Sequence, residues 1–388
     1  PAVITSVLKK VITLLDKKGK IIITDGPQTD SSFEKIIAHF PVKLWKRMCR
    51  DKEIKLDIID LRYDEWINKG DVTIKRKKLS GDPGGEVAIN LLDDNSEFFG
   101  HKKSKRGYYG ADYNIKETNM AHDGHNNLYR VSKTVINADV FINIPKLKTH
   151  KKGGITCCLK NLVGINTYKN YLPHHMEGGP SQGGDQFPAD NINAVVEGPL
   201  MAFLKQKILQ NTKLAYFFMP IKKLGKKVFG DNSKIIRSGN WHGNNTLWRM
   251  VLDLNKILYY AKTDGKMQTK AKNRKKYIGI VDGILGGEGN GPMSPDPVKS
   301  NVVVCGTNPV AIDCTCARLM GYDPRKIPTI VNSFSIKNYK LCNFKYKDVS
   351  LLLDHKAYNI SDKMIDDFAT EFKPHFGWTG NIEWNINE

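Results

Sequence analysis

Asn143-Ile144-Pro145-Lys146-Leu147-Lys148-Thr149-His150-Lys151-Lys152-Gly153-Gly154 begins where a hydrophobic run, Val135 to Ile144, is halted by a proline. The residues Asp139-Val140-Phe141-Ile142-Asn143-Ile144 suit a buried strand that stops at Pro145. In open α/β sheets ligands bind beyond the carboxyl ends of strands. Asn143, Lys146, Lys148, Thr149 and His150 are therefore expected on the following loop as ligand contacts. Gly153-Gly154 permits a tight turn, and Ile155 to Val163 reads as a helix whose positive N-terminus would face an anion. Lys160 and Asn161 reach the same cleft if their helix face turns inward, and Gly164 is a natural helix end. The competing reading is a solvated basic turn in which Asn143 and Thr149 act as local caps.

Outward from this segment the pattern is that of an α/β protein. An amphipathic stretch, Val3 to Leu15, precedes the β-branched run Ile21 to Thr24 and the turn Asp25-Gly26-Pro27. Thr29 to Ser32 offer caps for a helix from Phe33. Ile54 to Leu61 and Glu86 to Leu92 read as strands, and Ser96 to Asn114 as a charged, glycine-bearing loop. Strand signals return at Tyr277 to Ile280 and Val302 to Cys305, the latter leading into a helix over Val310 to Met320. The expected fold is a layered, largely parallel sheet with helices on both faces. A first α/β portion spans 1–165. An insertion or cap, mainly helix and loop, covers 166–276, and 277–388 completes the body or forms a second lobe.

The second candidate region, Asp282 to Pro292, follows a strand and is dense in glycine. Gly286, Gly287, Gly289 and Gly291, with Asn290, are expected to turn backbone N–H groups toward a phosphate or carboxylate. Neither a Walker loop nor a dinucleotide fingerprint is present. Glu288 is a base, a metal ligand or a ribose partner on one reading and an exposed loop carboxylate on the other. Asp282 shares that ambiguity. Asn308 is expected to cap the next helix, with Asp313 one turn inside it, facing the site or complementing the helix dipole.

Several functions are excluded or left without support. The seven cysteines lack the spacing of a disulfide framework, which favours a reducing, cytoplasmic setting. They also lack the repeated CxxC runs of an iron–sulfur protein, so an intrinsic cluster is not expected and Cys157-Cys158 and Cys314-Thr315-Cys316 read as helix packing. His122, His125, His174, His175 and His242 do not stand at metal-ligand spacing, so no metal site is assigned. No apolar run is long enough to span a bilayer, and no leader pattern is seen, although the chain opens on Pro1 without Met. Lys+Arg number 60 against 40 Asp+Glu, a net charge of +20. Such a field attracts anions, but no motif for specific nucleic-acid recognition accompanies it. The excess of Lys, Asn and Ile is equally what AT-rich coding produces. Leu200 to Phe229 is basic and amphipathic, read as a helical pair packed on the body in preference to a peripheral membrane contact. Within Arg237 to Asn255, Arg249 and Asp253 form an i,i+4 pair, and Trp241 with His242 offers a lid.

Asn143 to Gly164, with its PKLKTH and KNLVG stretches, then Asp282 to Pro292 and Asn308 to Asp313, resembles the family known as domain of unknown function 362. Gly239 to Leu258, GNWHGNNTLWRMVLDLNKIL, is similar to the longer, insertion-bearing branch. The resemblance implies an α/β fold, a prokaryotic origin and a site built from the matched motifs, with no settled reaction. Many relatives carry ferredoxin-like modules, which this chain lacks. Relatives also open with a strand that has no counterpart at Pro1, which implies a missing N-terminal portion.

The leading expectation is an enzyme acting on a small anionic substrate or nucleotide-like organic cofactor, with His150, Lys146 and Glu288 as catalytic groups. A lysine beside His150 would lower its pKa and leave a free imidazole base. The alternatives are a redox protein using an organic cofactor or a partner iron–sulfur protein, and a non-catalytic protein binding polyanions or anionic membrane.

Overall fold

Apolar residues at three- and four-residue spacing fold as α1 (Ala2–Leu14), which buries Val3, Leu8 and Ile12. In the computed structural model the described residues are 1–15, 19–69, 72–112, 114–189, 236, 238–269 and 275–385. The basic stretch Leu200 to Phe229 lies outside them.

β1 (Lys20–Asp25) is followed by α2 (Phe33–Ala38), capped by the Ser32 hydroxyl, and α3 (Val42–Arg50). β2 (Lys55–Asp60) then pairs with β1 in parallel, Lys20 opposite Lys55 and Asp25 opposite Asp60. Trp45, Cys49, Leu8, Ile12 and Ile54 make a small core of their own under these elements. β3 (Asp64–Lys69) and β4 (Val72–Lys78) form an antiparallel hairpin. β5 (Glu86–Asn90) precedes β6 (Tyr108–Gly110), α4 (Ile115–Ala121) and β7 (Leu128–Ser132), and β5 pairs antiparallel with β7.

The expected strand from Val135 to Ile144 is shorter and starts later. Residues 133 to 137 instead form a turn of helix, α5 (Lys133–Asn137), because the Ser132 hydroxyl accepts from Val135 N and caps it. β8 (Val140–Asn143) is the strand itself. The loop expected after Pro145 is also a strand, β9 (Lys146–His150), turned back through Lys151 to Gly153 into β10 (Gly154–Thr156). The helix predicted over Ile155 to Val163 is reduced to α6 (Cys158–Asn161) and a 3-10 turn, Leu162–Ile165. Ile155 and Thr156 are β-branched and fill extended positions, which delays the helix to Cys158. β11 (Pro173–Met176) pairs with β6.

The glycine-rich region does not form a loop. Asp282 to Asn290 lie within β12 (Lys276–Asn290), a 15-residue strand paired in parallel with β8 and β9 and antiparallel with β13 (Ser294–Val298) and β14 (Val302–Gly306), and Gly291-Pro292 fall in the turn that follows. This six-stranded mixed sheet is the largest among the described residues, beside several two-stranded ones. Parallel pairing among named strands occurs at β1–β2, β8–β12 and β9–β12. The content is therefore mixed α and β.

Two helices back the sheet. Leu247–Tyr260 is buried at every residue but Arg249, and Pro309–Leu319 buries Val310, Ile312, Cys314 and Cys316. The sequence Gly239 to Leu258, read as part of an insertion, thus runs into the main core. Lys256, fully buried there, is neutralised by Glu97 at 2.6 Å and lies 3.6 Å from Asp253. Asp253 meets Lys256, Ser96 and Tyr129 through hydrogen bonds or charge, not the expected ion pair with Arg249, whose guanidinium stacks over Trp248 and donates to Glu97 O.

Candidate functional site

Successive side chains of a strand point to opposite faces. In β9 this buries Leu147 and Thr149 completely and sends Lys146, Lys148 and His150 to the other face. The three are not equivalent. Lys146 is half-exposed and paired with Asp282 at 2.7 Å. Lys148, deeper in, has no hydrogen bond or ion pair among the described residues, and its ammonium senses Asp25 and Lys146. His150 is only 5% exposed. Its Nδ1 accepts from Lys152 N at 3.1 Å in the turn that joins β9 to β10. A backbone N–H can only donate, so the neutral ring carries its proton on Nε2.

The opposite wall comes from three distant parts of the chain. Lys160 lies on α6, His174 on β11 and Asp25 at the end of β1. His174 donates from Nδ1 to Leu172 O at 2.8 Å, and a carbonyl can only accept, so its Nε2 is left with a lone pair. The two imidazoles thus stand in opposite tautomers, and His150 senses the His174 charge. Neither Nε2 has a hydrogen-bonding partner among the described residues.

Lys160, Lys148 and His174 each keep part of their surface accessible, and Asp25 is exposed, although protein crowds around the ionisable end of each. These groups therefore stand at the margin of the packed interior. Desolvation, then the neighbouring Lys148 and Lys169 charges, pushes Lys160 down to about 7. Burial, then Lys160, His174, Lys151 and Lys152, drives His150 well below the ordinary histidine value, and burial with Lys152 and Lys160 does the same to His174. Asp25 is raised by burial, with Lys169 opposing.

Close backbone contact joins the elements that carry these groups. A Cβ on Gly26 would lie 2.3 Å from Gly164 O, and one on Gly164 would lie 2.8 Å from Asp25 Oδ1. Only glycines let the end of β1 touch the turn after α6. Lys169, buried, ties the two together by donating to Gly26 O, Val163 O and Asn166 O at 2.8, 3.2 and 3.0 Å. Burial lowers it to about 8, with Asp25 and Asp112 opposing. On the far side Trp378 Nε1 donates to Lys151 O, bringing His375 beside Lys151. Burial, then the Lys151 charge, lowers His375 to about 4.

Other residues expected in the site serve the framework. Asn143 donates to Cys158 O and Tyr277 Oη and accepts from Asn161, so this pair cross-links β8, β12 and α6. Thr149 bonds Gly289 O. Asn308 caps its helix by accepting from Val310 N and Ala311 N. Asp313 accepts from Cys158 N and Leu159 N at 2.8 and 3.1 Å, so it occupies the helix N-terminus that the sequence offered to an anionic ligand. Burial raises Asp313 to about 7. Its ligand atoms and those of Cys157 and Cys158 lie within 4.8 Å of one another.

Glu288 sits on β12 and accepts from Lys373 N at 2.7 Å. Exposed Asn290 pairs with Ser294. The glycines admit neighbours: a Cβ at Gly286 would meet Phe372 at 2.6 Å, at Gly287 Pro295 at 2.8 Å, and at Gly291 Thr149 O at 2.0 Å. Gly289, at φ +68°, accepts Thr149 instead. The histidines weighed as metal ligands are dispersed: His122 lies among Phe98, Tyr108 and Tyr129, His125 pairs with Asp93, and His242 packs on Trp241.

The geometry therefore brings together Lys148, His150 and Lys160 from the sequence candidates and adds Asp25, Lys151, Lys169 and His174. The Leu-Pro-His-His run at 172–175 was the signal for His174, but nothing in its spacing connected it with His150.

Fold and side chains together define a mixed α/β protein in which several lysines gather near two imidazoles. Residues 108–318 match the family described as Domain of unknown function (DUF362), over half of the chain, and the chain belongs to that family. A thylakoid-associated protein of Synechocystis sp. is 24% identical over 208 residues, 54% of this chain and 40% of that protein. The chain thus spans less than half the length of that relative. No solved structure matches.

Proposed function

We propose that this protein is an enzyme that holds a small anion on Lys148, Lys151 and Lys160 and moves a proton at an adjacent atom with His150 and His174. The observation that carries this reading is the pair of imidazoles in opposite tautomers beside ammonium groups without partners. His174 Nε2 is a base and His150 Nε2–H a donor, and titratable groups with such complementary roles are the mark of acid–base chemistry. The lysines stabilise negative charge that develops on the bound molecule. The cleft is too polar for an apolar guest, and the lysines act as point charges suited to carboxylate or phosphate.

Free cysteines at all seven positions suit a reducing compartment, and we place the protein in the cytoplasm. Among the described residues no helix is long and apolar enough to cross a membrane.

The test is calorimetric titration of the full chain with phosphate and with L-lactate, combined with exchange of the lactate α-hydrogen in D2O. Wild type is expected to bind and to exchange. Lys160→Met should weaken binding by roughly tenfold, the value of one charged hydrogen bond. His150→Gln and His174→Gln should abolish exchange while changing affinity by less than that. Absence of binding to either anion, or exchange that survives both histidine changes, overturns the reading.

A further inference from the structure

Cys157 follows β10, Cys158 opens α6, and Asp313 lies one turn into the helix Pro309–Leu319. All three are buried, at 0, 0 and 1% exposure. One ligand atom from each, two sulfurs and a carboxylate oxygen, lies within 4.8 Å of the other two. Buried free cysteines ordinarily pack as small apolar groups. That account does not cover a carboxyl set among the sulfurs, because a buried carboxylate needs a complement to its charge. Asp313 has the amides of Cys158 and Leu159 and no ion pair among the described residues. Each of its oxygens accepts one of these bonds and keeps a lone pair.

The surrounding elements leave room for the sulfurs. Gly279 of β12 faces Cys158: a Cβ there would lie 2.8 Å from Cys158 Sγ and 2.5 Å from Ile312 Cδ1. Cys316, fully buried, stands three residues after Asp313 on the same helix face, and its thiol meets that of Cys157.

We propose that Cys157, Cys158 and Asp313 form a structural Zn2+ site, with two thiolates and one carboxylate oxygen as ligands. Cys316 stands beside Cys157 for the fourth position. Zn–S bonds of about 2.3 Å and a Zn–O bond of about 2.0 Å set tetrahedral ligand atoms roughly 3.5–3.8 Å apart, so the group has only to close slightly on the ion. Two sulfurs tell against Mg2+ and Ca2+, and the carboxylate tells against Cu+. The ion takes a lone pair that the amides leave free, so the bonds from Cys158 N and Leu159 N persist. It supplies the positive charge that Asp313 lacks and ties the start of α6 to the helix behind it. Because the sulfurs are closed to solvent, the ion enters as the chain folds, and each thiol releases its proton to water on binding.

The experiment expresses the full chain with Zn2+ in the medium and purifies it under reducing conditions. Metal content, zinc X-ray absorption and competition with a chromophoric chelator are then measured. One Zn2+ per chain is expected, with at least two sulfurs at about 2.3 Å in its shell. Cys157→Ser and Cys158→Ser should each weaken zinc binding by more than about a hundredfold, beyond what changes to supporting groups cost. Cys305→Ser, which removes an exposed thiol, should leave it unchanged. Absence of stoichiometric zinc, a shell with fewer than two sulfurs, or wild-type affinity in both serine variants overturns the proposal. The absorption spectrum is taken on wild type, so the result does not depend on a variant folding.

Discussion

His150 and His174 differ by one hydrogen bond each, and that difference sets their tautomers. His150 was legible because it closes a run of cations at alternate positions, Lys146, Lys148 and His150. His174 was not, because a tautomer set by Leu172 O exists only once the chain has turned at 172. Asp313 shows the same limit. Its sequence position allowed a role in the site or at the dipole of its own helix, while the structure gives it the amides of Cys158 and Leu159. Asp313→Ala should strand those two buried N–H groups and cost roughly 2–4 kcal/mol in urea unfolding. Asp313→Asn keeps one acceptor and allows a pH test. Burial pushes the folded carboxyl up to about 7 from an ordinary 3.8, so the folded state binds the extra proton between those values. Stability from this residue is complete below about pH 4 and is lost as pH rises to about 7. The advantage of wild type over Asp313→Asn should shrink across that range, and a constant or growing advantage would contradict the assignment.

At the scale of elements, α1, β1, β2, β5, β14 and the Ser32 cap were readable because apolar periodicity and local capping decide them. β9 and the glycine-rich second half of β12 were not, since basic and glycine-rich stretches resemble loops when their partners are unseen, whereas the strand read at Tyr277 to Ile280 opens β12. In β12 and the turn after it most glycines make room for a neighbour. Gly291→Ala would place its Cβ 2.0 Å from Thr149 O, a backbone atom that cannot step aside. The expected outcome is a loss of roughly 2–4 kcal/mol in thermal or urea unfolding, or failure to fold. An anion nest would behave differently, keeping stability and losing phosphate affinity, and that pattern would restore the loop reading.

Across the whole molecule, a net charge of +20 matters less than where a few cations are confined. Lys160 and Lys169 titrate at about 7 and about 8 in the folded protein against 10.5 for free lysine. Between these values the unfolded chain binds more protons, so stability contributed by these lysines rises with pH from about 7. Buried thiols, raised by desolvation above 9.0, oppose it beyond about pH 9. Urea midpoints should therefore climb between pH 7 and pH 9, and Lys160→Met should flatten the climb. A wild-type midpoint that falls over that window would refute the confinement of these amines. By itself the sequence determined the mixed α/β content, the family and a basic, histidine-bearing segment at 143–164, because periodicity, turn chemistry and motif order are local properties of the chain. Only the tertiary structure decided which of those residues meet. Glycine contacts and the buried Lys169 join the end of β1 to the turn after α6, and the lowered pKa values of Lys160 and His174 arise from burial and from charges on other elements.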